Sequence, residues 1–268
     1  MIDTFYRLSY LPLKNALNHR RRISRRIAGR TCRSSRPERL AVILLSYRRP
    51  KNIDKILSSL VLCEFIDEII LSNNNPEFPI EKYLHIQDPR LRIINQPERR
   101  YPSYRLELSL EAKSEFLLAI DDDVFPEPEQ ILGLFEILLE TPSLPHGVGG
   151  QVFSEDLTKA EEIAGRDTPV ESLMWLFAYT REHVMKYFEM LNTLRIDNRQ
   201  LDSSEDVPLS FTGESFALIH DLGPVFRCPT STKAGVATLQ TPGFFQQRTR
   251  LVRQMRELRG FDRKWLME

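Results

Sequence analysis

Three consecutive carboxylates, Asp121, Asp122 and Asp123, follow the apolar run "EFLLAI" in the stretch "SEFLLAIDDDVFPEPEQ". Side by side they repel one another unless a cation neutralises them, and hard oxygen ligands suit Mg2+ or Mn2+. Such an ion keeps coordination positions open, which phosphate oxygens fill. A helix N-cap and turn would also use an aspartate at this place, because Asp123 stands near the start of the next helix, but one acid would serve that purpose. Two other stretches carry matching chemistry. "SYRR" supplies Tyr47 and Arg49, and "SNNN" supplies Asn73 and Asn74. A ring can lie against a base, amides can read its edge, and a guanidinium can hold phosphate charge bidentately. Taken singly, an Asn-rich turn is an ordinary turn and an arginine pair an ordinary solvated surface.

The elements that must position these groups are legible from apolar spacing. "LAVILLSY" (40 to 47) is almost continuously apolar, as a strand buried on both faces should be. "KNIDKILSSL" then places Ile53, Ile56, Leu57 and Leu60 on one helical face. "IDEIILS" and "LRIIN" read as strands, "YRLELSLEAK" as a helix, "EFLLAI" as a strand, and "PEPEQILGLFEILLE" as a helix opened by prolines and acids. This βαβ series predicts an α/β fold, a Rossmann-like, mostly parallel sheet flanked by helices, with ligands at the carboxyl ends of its strands. Tyr47, the asparagines and the aspartates all fall at such ends.

The second half is less regular and predicts a smaller mixed subregion. "GVGGQVF" (147 to 153) reads as one strand and residues 170 to 194 as one long helix. Its aromatics, Trp175, Phe177, Tyr179, Tyr187 and Phe188, read as core ahead of a sugar-stacking wall. The polar segment 154 to 169 reads as a mobile loop able to close over a ligand and exclude water. A strand pair is expected around "SFALIHDLGPVFR", and a basic final helix from about Gln246 to Leu258. The domain reading is a basic appendage over 1–39 and a single catalytic domain over 40–268, with a nucleotide-binding half (40–153) and an acceptor half (154–268).

Over about residues 40 to 220 the chain resembles the nucleotide-sugar-dependent glycosyltransferases of the GT-A fold, on "VILLSYRRPKNIDKILSSL", "IDEIILSNNN" and "AIDDDVF", the last similar to their DXD motif. Exostosin-like enzymes look nearest, on Tyr47, Arg49, Asn73, Asn74, Arg105 and Asp121 to Asp123; the family-2 transferases share much of the layout. The resemblance implies that Tyr47, Arg49, Asn73 and Asn74 face the base and ribose of a nucleoside diphosphate, UDP ahead of GDP. Arg105 would reach base or diphosphate, Asp121 and Asp122 would hold ribose or sugar hydroxyls, and Asp123 would bind Mn2+ or Mg2+. "SSEDVPLSF" resembles the downstream glutamate-aspartate motif of these enzymes. Glu205 and Asp206 would then sit beside the anomeric carbon, Asp206 deprotonating the acceptor if the reaction inverts, or orienting substrates if it retains. A Ser/Asp helix cap fits the same letters, and Pro208 suits it. The C-terminal histidine and arginine of the exostosin-like enzymes have no counterpart in "GVATLQTPGFF", where Arg248 or Arg250 stands nearby. His220, ending an apolar run, reads as structural.

The implied activity is that of a hexosyl- or N-acetylhexosaminyltransferase acting on a nucleotide-sugar donor and a glycan or glycolipid acceptor. Two alternatives stand beside it. A nucleotidyltransferase would show a Gly-rich loop after the first strand, which "SYRRPKN" is not. A degenerate transferase, or a polyanion- or membrane-binding protein, would work through the arginine-rich start.

Lysine plus arginine equals aspartate plus glutamate at 37 each, yet the first 39 residues hold only Asp3 and Glu38 as acids against a dense arginine series. That segment fits a solvated tail or a patch for an anionic membrane surface, with "FYRLSYLPLKNAL" as a short apolar face suited to lying on a bilayer. No nucleic-acid partner is expected. No apolar run reaches the roughly 18 to 20 residues that span a bilayer. Cys32, Cys63 and Cys228 form neither a zinc pattern nor a disulfide framework, so a reducing, cytoplasmic home is expected, peripheral at the inner membrane surface if the arginines bind lipid.

Overall fold

The structure, a computed structural model, describes residues 11–201, 203–233 and 240–266. Helix α1 (Leu11–Ile27) leads into β1 (Leu40–Ser46), α2 (Pro50–Leu60), β2 (Ile66–Asn73), β3 (Leu91–Asn95), α3 (Tyr104–Glu111), β4 (Phe116–Ile120) and α4 (Pro128–Glu140). The second half adds β5 (His146–Gly147), β6 (Gly149–Phe153), β7 (Ala160–Ala164), β8 (Thr168–Val170), β9 (Ser172–Leu173), β10 (Leu176–Thr180), α5 (Arg181–Thr193), α6 (Asp206–Ser210), β11 (Ala217–Ile219) and α7 (Phe244–Arg259).

Eight strands form one sheet in the order β3-β2-β1-β4-β10-β5-β11-β8, and β7-β6-β9 form a small antiparallel sheet beside it. Strands β3, β2, β1 and β4 are mutually parallel; β10 runs antiparallel between β4 and β5. All of β1 is buried, which is why its sequence shows no alternation. Its even and odd residues still serve different cores. Leu40, Val42 and Leu44 pack with α2 and α4, while Ala41, Ile43 and Leu45 pack with α3, α5 and α7. Helix α2 buries Ile53, Ile56, Leu57 and Leu60, the face its spacing predicts. Helix α4 begins with Pro128 and a reciprocal cap between Glu127 and Gln130.

Four expectations for the less regular regions are corrected. The stretch expected as a helix over 170 to 194 is β9, a tight break at Trp175 (φ 69°), then β10, and only afterwards α5. A run buried on both faces loses its period, so "LFAYT" reads equally as helix or as the inner strand it is; Thr180 then caps α5 through His183. "GVGGQVF" divides at Val148 between the two sheets. The segment expected as a mobile loop contributes β7, paired with β6 from Gly149↔Ala164 to Phe153↔Ala160. Of the expected second strand pair, only Ala217–Ile219 is a strand; Arg227 instead forms a bridge to Val124.

The basic start of the chain, over its described part, is a helix to Ile27 seated on α2, followed by irregular chain up to β1. Arg22 is fully buried there, donating to Ser58 Oγ (2.9 Å), Glu127 Oε1 (2.9 Å) and the Lys55 carbonyl (3.2 Å). Residues 1 to 10, which carry half of the apolar stretch noted above, lie outside the described residues, as do residues 234 to 239.

Candidate active site

The parallel strands deliver their carboxyl ends to one rim. Beyond β1 come Tyr47, Arg48 and Arg49; beyond β2, Asn74; beyond β3, Arg99 and Arg100; beyond β4, Asp121 to Asp123. All of them line one cavity of about 290 Å3, whose opposite wall carries Trp175, Glu205, Asp206, Arg227 and Arg248. A crevice at the carboxyl ends of an open α/β sheet is where ligands of such folds bind.

The repulsion expected among the three aspartates is met first by arginine. Arg49 donates through Nη1 to Asp122 Oδ1 at 2.7 Å and stands 3.5 Å from Asp123 Oδ2. The other Asp122 oxygen accepts from the Tyr47 amide (3.1 Å), so this carboxylate fixes the turn that carries Tyr47 and Arg49. Arg49 also donates to the hydroxyl and carbonyl of Thr230, joining the triplet to a loop far along the chain. Burial disfavours the ionised form of Asp122 and raises its pKa despite Arg49. Asp123 is pushed up to about 7, by burial first and then by its two aspartate neighbours.

Arg105, in the first turn of α3 and 4 % exposed, joins the two acidic stretches. Its Nη2 donates to Asp121 Oδ1 at 2.7 Å, and its Nε lies 3.0 Å from Glu205 Oε1. Burial works against its charge, but Asp121 and Glu205 outweigh that and its pKa is raised. Glu205 has the opposite balance. Burial dominates, Asp206 and Asp121 add to it, and the carboxyl is lifted to about 8 despite Arg105. Its Oε2 and the Nη1 of Arg105 are buried without hydrogen-bond partners. The helix-cap reading does not describe this pair: Glu205 holds the N-cap place of α6 with no side-chain cap bond, and Ser204 donates to Gln247 instead.

Asp206 opens α6 facing the cavity. Its Oδ1 accepts from Arg248 Nη1 at 2.7 Å and its Oδ2 from Ser172 Oγ at 3.0 Å. Arg248, on α7, thus stands beside Asp206 in the cavity lining, whereas Arg250 is exposed and does not line the cavity. Helix α7 is anchored through Glu171, which is wholly buried and accepts from Arg256 Nε (2.7 Å), Arg256 Nη2 (3.0 Å) and the Phe153 amide (2.9 Å).

Most of the residues singled out from sequence meet here. Asn73 does not line the cavity: its amide donates to the Phe78 carbonyl (2.7 Å) and to Asn95 Oδ1 (3.0 Å), tying down the turn beyond β2. Its neighbour Asn74 takes the cavity position. Tyr47 is flanked by guanidinium groups, Arg48 at 5.1 Å and Arg99 at 4.8 Å from its ring centre. His220 contacts His146 at 3.0 Å and does not line the cavity, as a structural residue should.

Sequence reasoning missed Arg227 and the wall around it. Residues 226 to 228 pair with the aspartate loop through Phe125 N to Phe226 O (2.8 Å) and Cys228 N to Asp123 O (2.8 Å). That pairing lays the Arg227 guanidinium 4.5 Å over the Trp175 ring and 3.3 Å from Glu162 on β7. Trp175 in turn accepts from the Asp121 amide through its carbonyl (2.9 Å) and packs on Gly149, where a Cβ would lie 2.3 Å from the indole. Arg99 and Arg100 were accessible to reasoning, since "PERRY" follows a strand; Arg227 gave no such signal.

Among the described residues no group of three His, Cys, Asp or Glu side chains is placed to hold a metal ion alone. The donor set nevertheless fits an ion shared with phosphate. Asp121, Asp122, Asp123, Glu205 and Asp206 line the cavity, and Arg49, Arg105 and Arg248 stand within ion-pair distance of them. Seven arginines share that lining with six carboxylates, as suits an anionic ligand, and Asp123, 3.5 Å from Arg49, has the longest of these contacts.

A model of the family "Glycosyl transferase family 2" matches residues 41–197, more than half of the chain. No curated protein matches in sequence. Among solved structures, the crystal structure of GalNAc-T7 with UDP, GalNAc and Mn2+ superposes with a TM-score of 0.55 at 9 % identity, covering 80 % of this chain. The chain spans about half of that structure's length, 48 %. At that identity the likeness concerns the fold, an α/β architecture of the GT-A kind.

Proposed function

This chain belongs to glycosyl transferase family 2, and on that premise we propose that it moves a sugar from a nucleoside diphosphate donor, UDP ahead of GDP, onto a hydroxyl of a glycan or glycolipid. One observation carries the reading: the aspartate triplet, the strand-end residues Tyr47, Arg49 and Asn74, and the Glu205–Asp206 pair line a single cavity, with Arg105 bonded to both acidic stretches. Scattered helix caps and turns would have no reason to converge.

Tyr47, Arg49 and Asn74 bind the nucleoside side of the donor, and Asp121 meets its hydroxyls. Asp123 would hold Mn2+ or Mg2+ together with the diphosphate oxygens, and the ion, when bound, supplies positive charge against the charge that grows on the leaving diphosphate. Arg227, beside Asp123, adds to that charge. Asp206 is the base: it lies at the cavity surface, whereas Glu205 is deeper and keeps its proton to about pH 8. As the acceptor oxygen attacks the anomeric carbon and the bond to the diphosphate breaks, the acceptor's proton passes to Asp206. Arg248 and Ser172 hold that carboxylate in place. If the leaving diphosphate lies on the face opposite Asp206, this attack inverts the anomeric centre.

Titration calorimetry with UDP, with and without Mn2+, tests the reading, followed by turnover of a nucleotide-sugar panel. Asp123→Ala should lose metal-dependent nucleotide affinity. Asp206→Asn should keep that affinity and lose turnover by roughly 10^2 to 10^4. Equal loss of nucleotide binding in both variants contradicts the assigned roles, and no metal-dependent affinity in the wild type favours a degenerate module.

A further inference from the structure

Helix α1 is amphipathic the wrong way round. The fully buried residues on the side packed on the domain are polar, Asn15, Asn18 and Arg22 at 3, 8 and 1 % exposure, with half-buried Ile23 at the flank. The side facing solvent carries Leu13, Leu17 and Ile27 at 61, 52 and 83 %. Positions 13, 17, 20, 24 and 27 advance by three or four, so Leu13, Leu17, Arg20, Ser24 and Ile27 form one stripe along the helix. A surface helix ordinarily does the reverse, and isolated exposed leucines need no explanation, but an apolar stripe opposite a buried arginine does.

We propose that this outward stripe of α1 is a docking surface for an anionic phospholipid bilayer. Charge chooses the occupant. From residue 11 to residue 39 the chain carries nine arginines and Lys14 against the single acid Glu38, and Arg20, Arg21, Arg30, Arg36 and Arg39 are exposed. Anionic headgroups attract such a segment, while the leucines and the isoleucine enter the acyl boundary of a helix lying in the plane. A second copy of the chain is disfavoured, because a two-fold contact through this face sets Arg20 and Arg21 near their own equivalents. The helix lies flat rather than spanning, since no helix among the described residues is long and apolar enough to cross a membrane. The buried side explains why the helix can present apolar groups at all. Arg22 bonded to Glu127 and Ser58, and Arg25 paired with Glu129 at 2.7 Å, hold it to α2 and α4 without using its apolar face.

The test is co-sedimentation of the full chain with vesicles of phosphatidylcholine alone, or of phosphatidylcholine with about one part in three phosphatidylglycerol. The wild type should pellet with the anionic vesicles only, and less as salt rises. Leu17→Glu with Ile27→Glu should weaken partitioning about tenfold or more, because two inserted side chains are lost. Its melting temperature should stay unchanged, since neither residue is buried. Absence of pelleting overturns the proposal. So does unchanged pelleting of the double variant, which would reduce the effect to charge, and so does a dimer in sedimentation velocity that the double variant dissociates.

Discussion

Replacing Glu205 by glutamine should make the protein less sensitive to rising pH. Glu205 is lifted from 4.5 to about 8, chiefly by burial. A carboxyl with a raised folded pKa binds its proton more tightly folded than unfolded, so its contribution to stability is whole below the unfolded pKa and declines as pH rises towards the folded one. Between about pH 5.5 and pH 7.5 the unfolded chain has released this proton and the folded chain holds it. Each pH unit in that window costs about 1.4 kcal/mol, so the wild type loses roughly 2 to 3 kcal/mol that the glutamine variant, with nothing to ionise, keeps. For a chain of this size that corresponds to roughly 5 to 10 °C in Tm. Urea unfolding of both proteins at the two pH values measures the difference, and titrations common to both cancel. Parallel stability curves would refute the reasoning, because they would mean that Arg105 already holds Glu205 ionised in this range.

Three further outcomes follow from the geometry. Gly149→Ala places a methyl group 2.3 Å from the Trp175 ring, so it should cost about 1 to 3 kcal/mol in denaturant unfolding and weaken nucleotide binding by displacing the carbonyl that holds Asp121. Glu171→Ala leaves Arg256 without its buried partner and should cost about 3 to 5 kcal/mol by the same measurement, with a drop in kcat as α7 loosens and Arg248 leaves Asp206. Arg49→Met strands Asp122 and should destabilise by a similar amount and abolish nucleotide binding in calorimetry, whereas Arg250→Met, altering an exposed side chain, should change neither.

The strand-end side of the cavity was legible because parallel strands advertise themselves. A run such as "LAVILLSY" followed by a helix with Ile53, Ile56, Leu57 and Leu60 on one face admits few other readings, and strand ends then locate Tyr47, Asn74 and the aspartates. Asn73 and Asn74 differ only in which way the strand turns them, and two adjacent polar residues leave no trace of that choice. The opposite wall was harder for a physical reason. Strand β10 is buried on both faces, so its letters lose the alternation that separates strand from helix, and Trp175 was hidden inside a supposed helix. Arg227 reaches the site through an irregular backbone pairing with the aspartate loop, which no periodicity encodes. The arginine series at the start suggested a solvated tail because a run of charge usually is one; that Arg22 would be buried depended on Glu127, more than a hundred residues away.

Arg105 divides one positive charge between carboxylates drawn from the two halves of the chain. Anything that draws Asp121 off that guanidinium leaves Glu205 as its sole anion, and an undivided counter-charge favours departure of the Glu205 proton. Uptake of a ligand at the strand rim is thereby linked to acid release on the other side of the cavity. The heat measured on adding nucleotide should then change with the ionisation enthalpy of whichever buffer collects that proton.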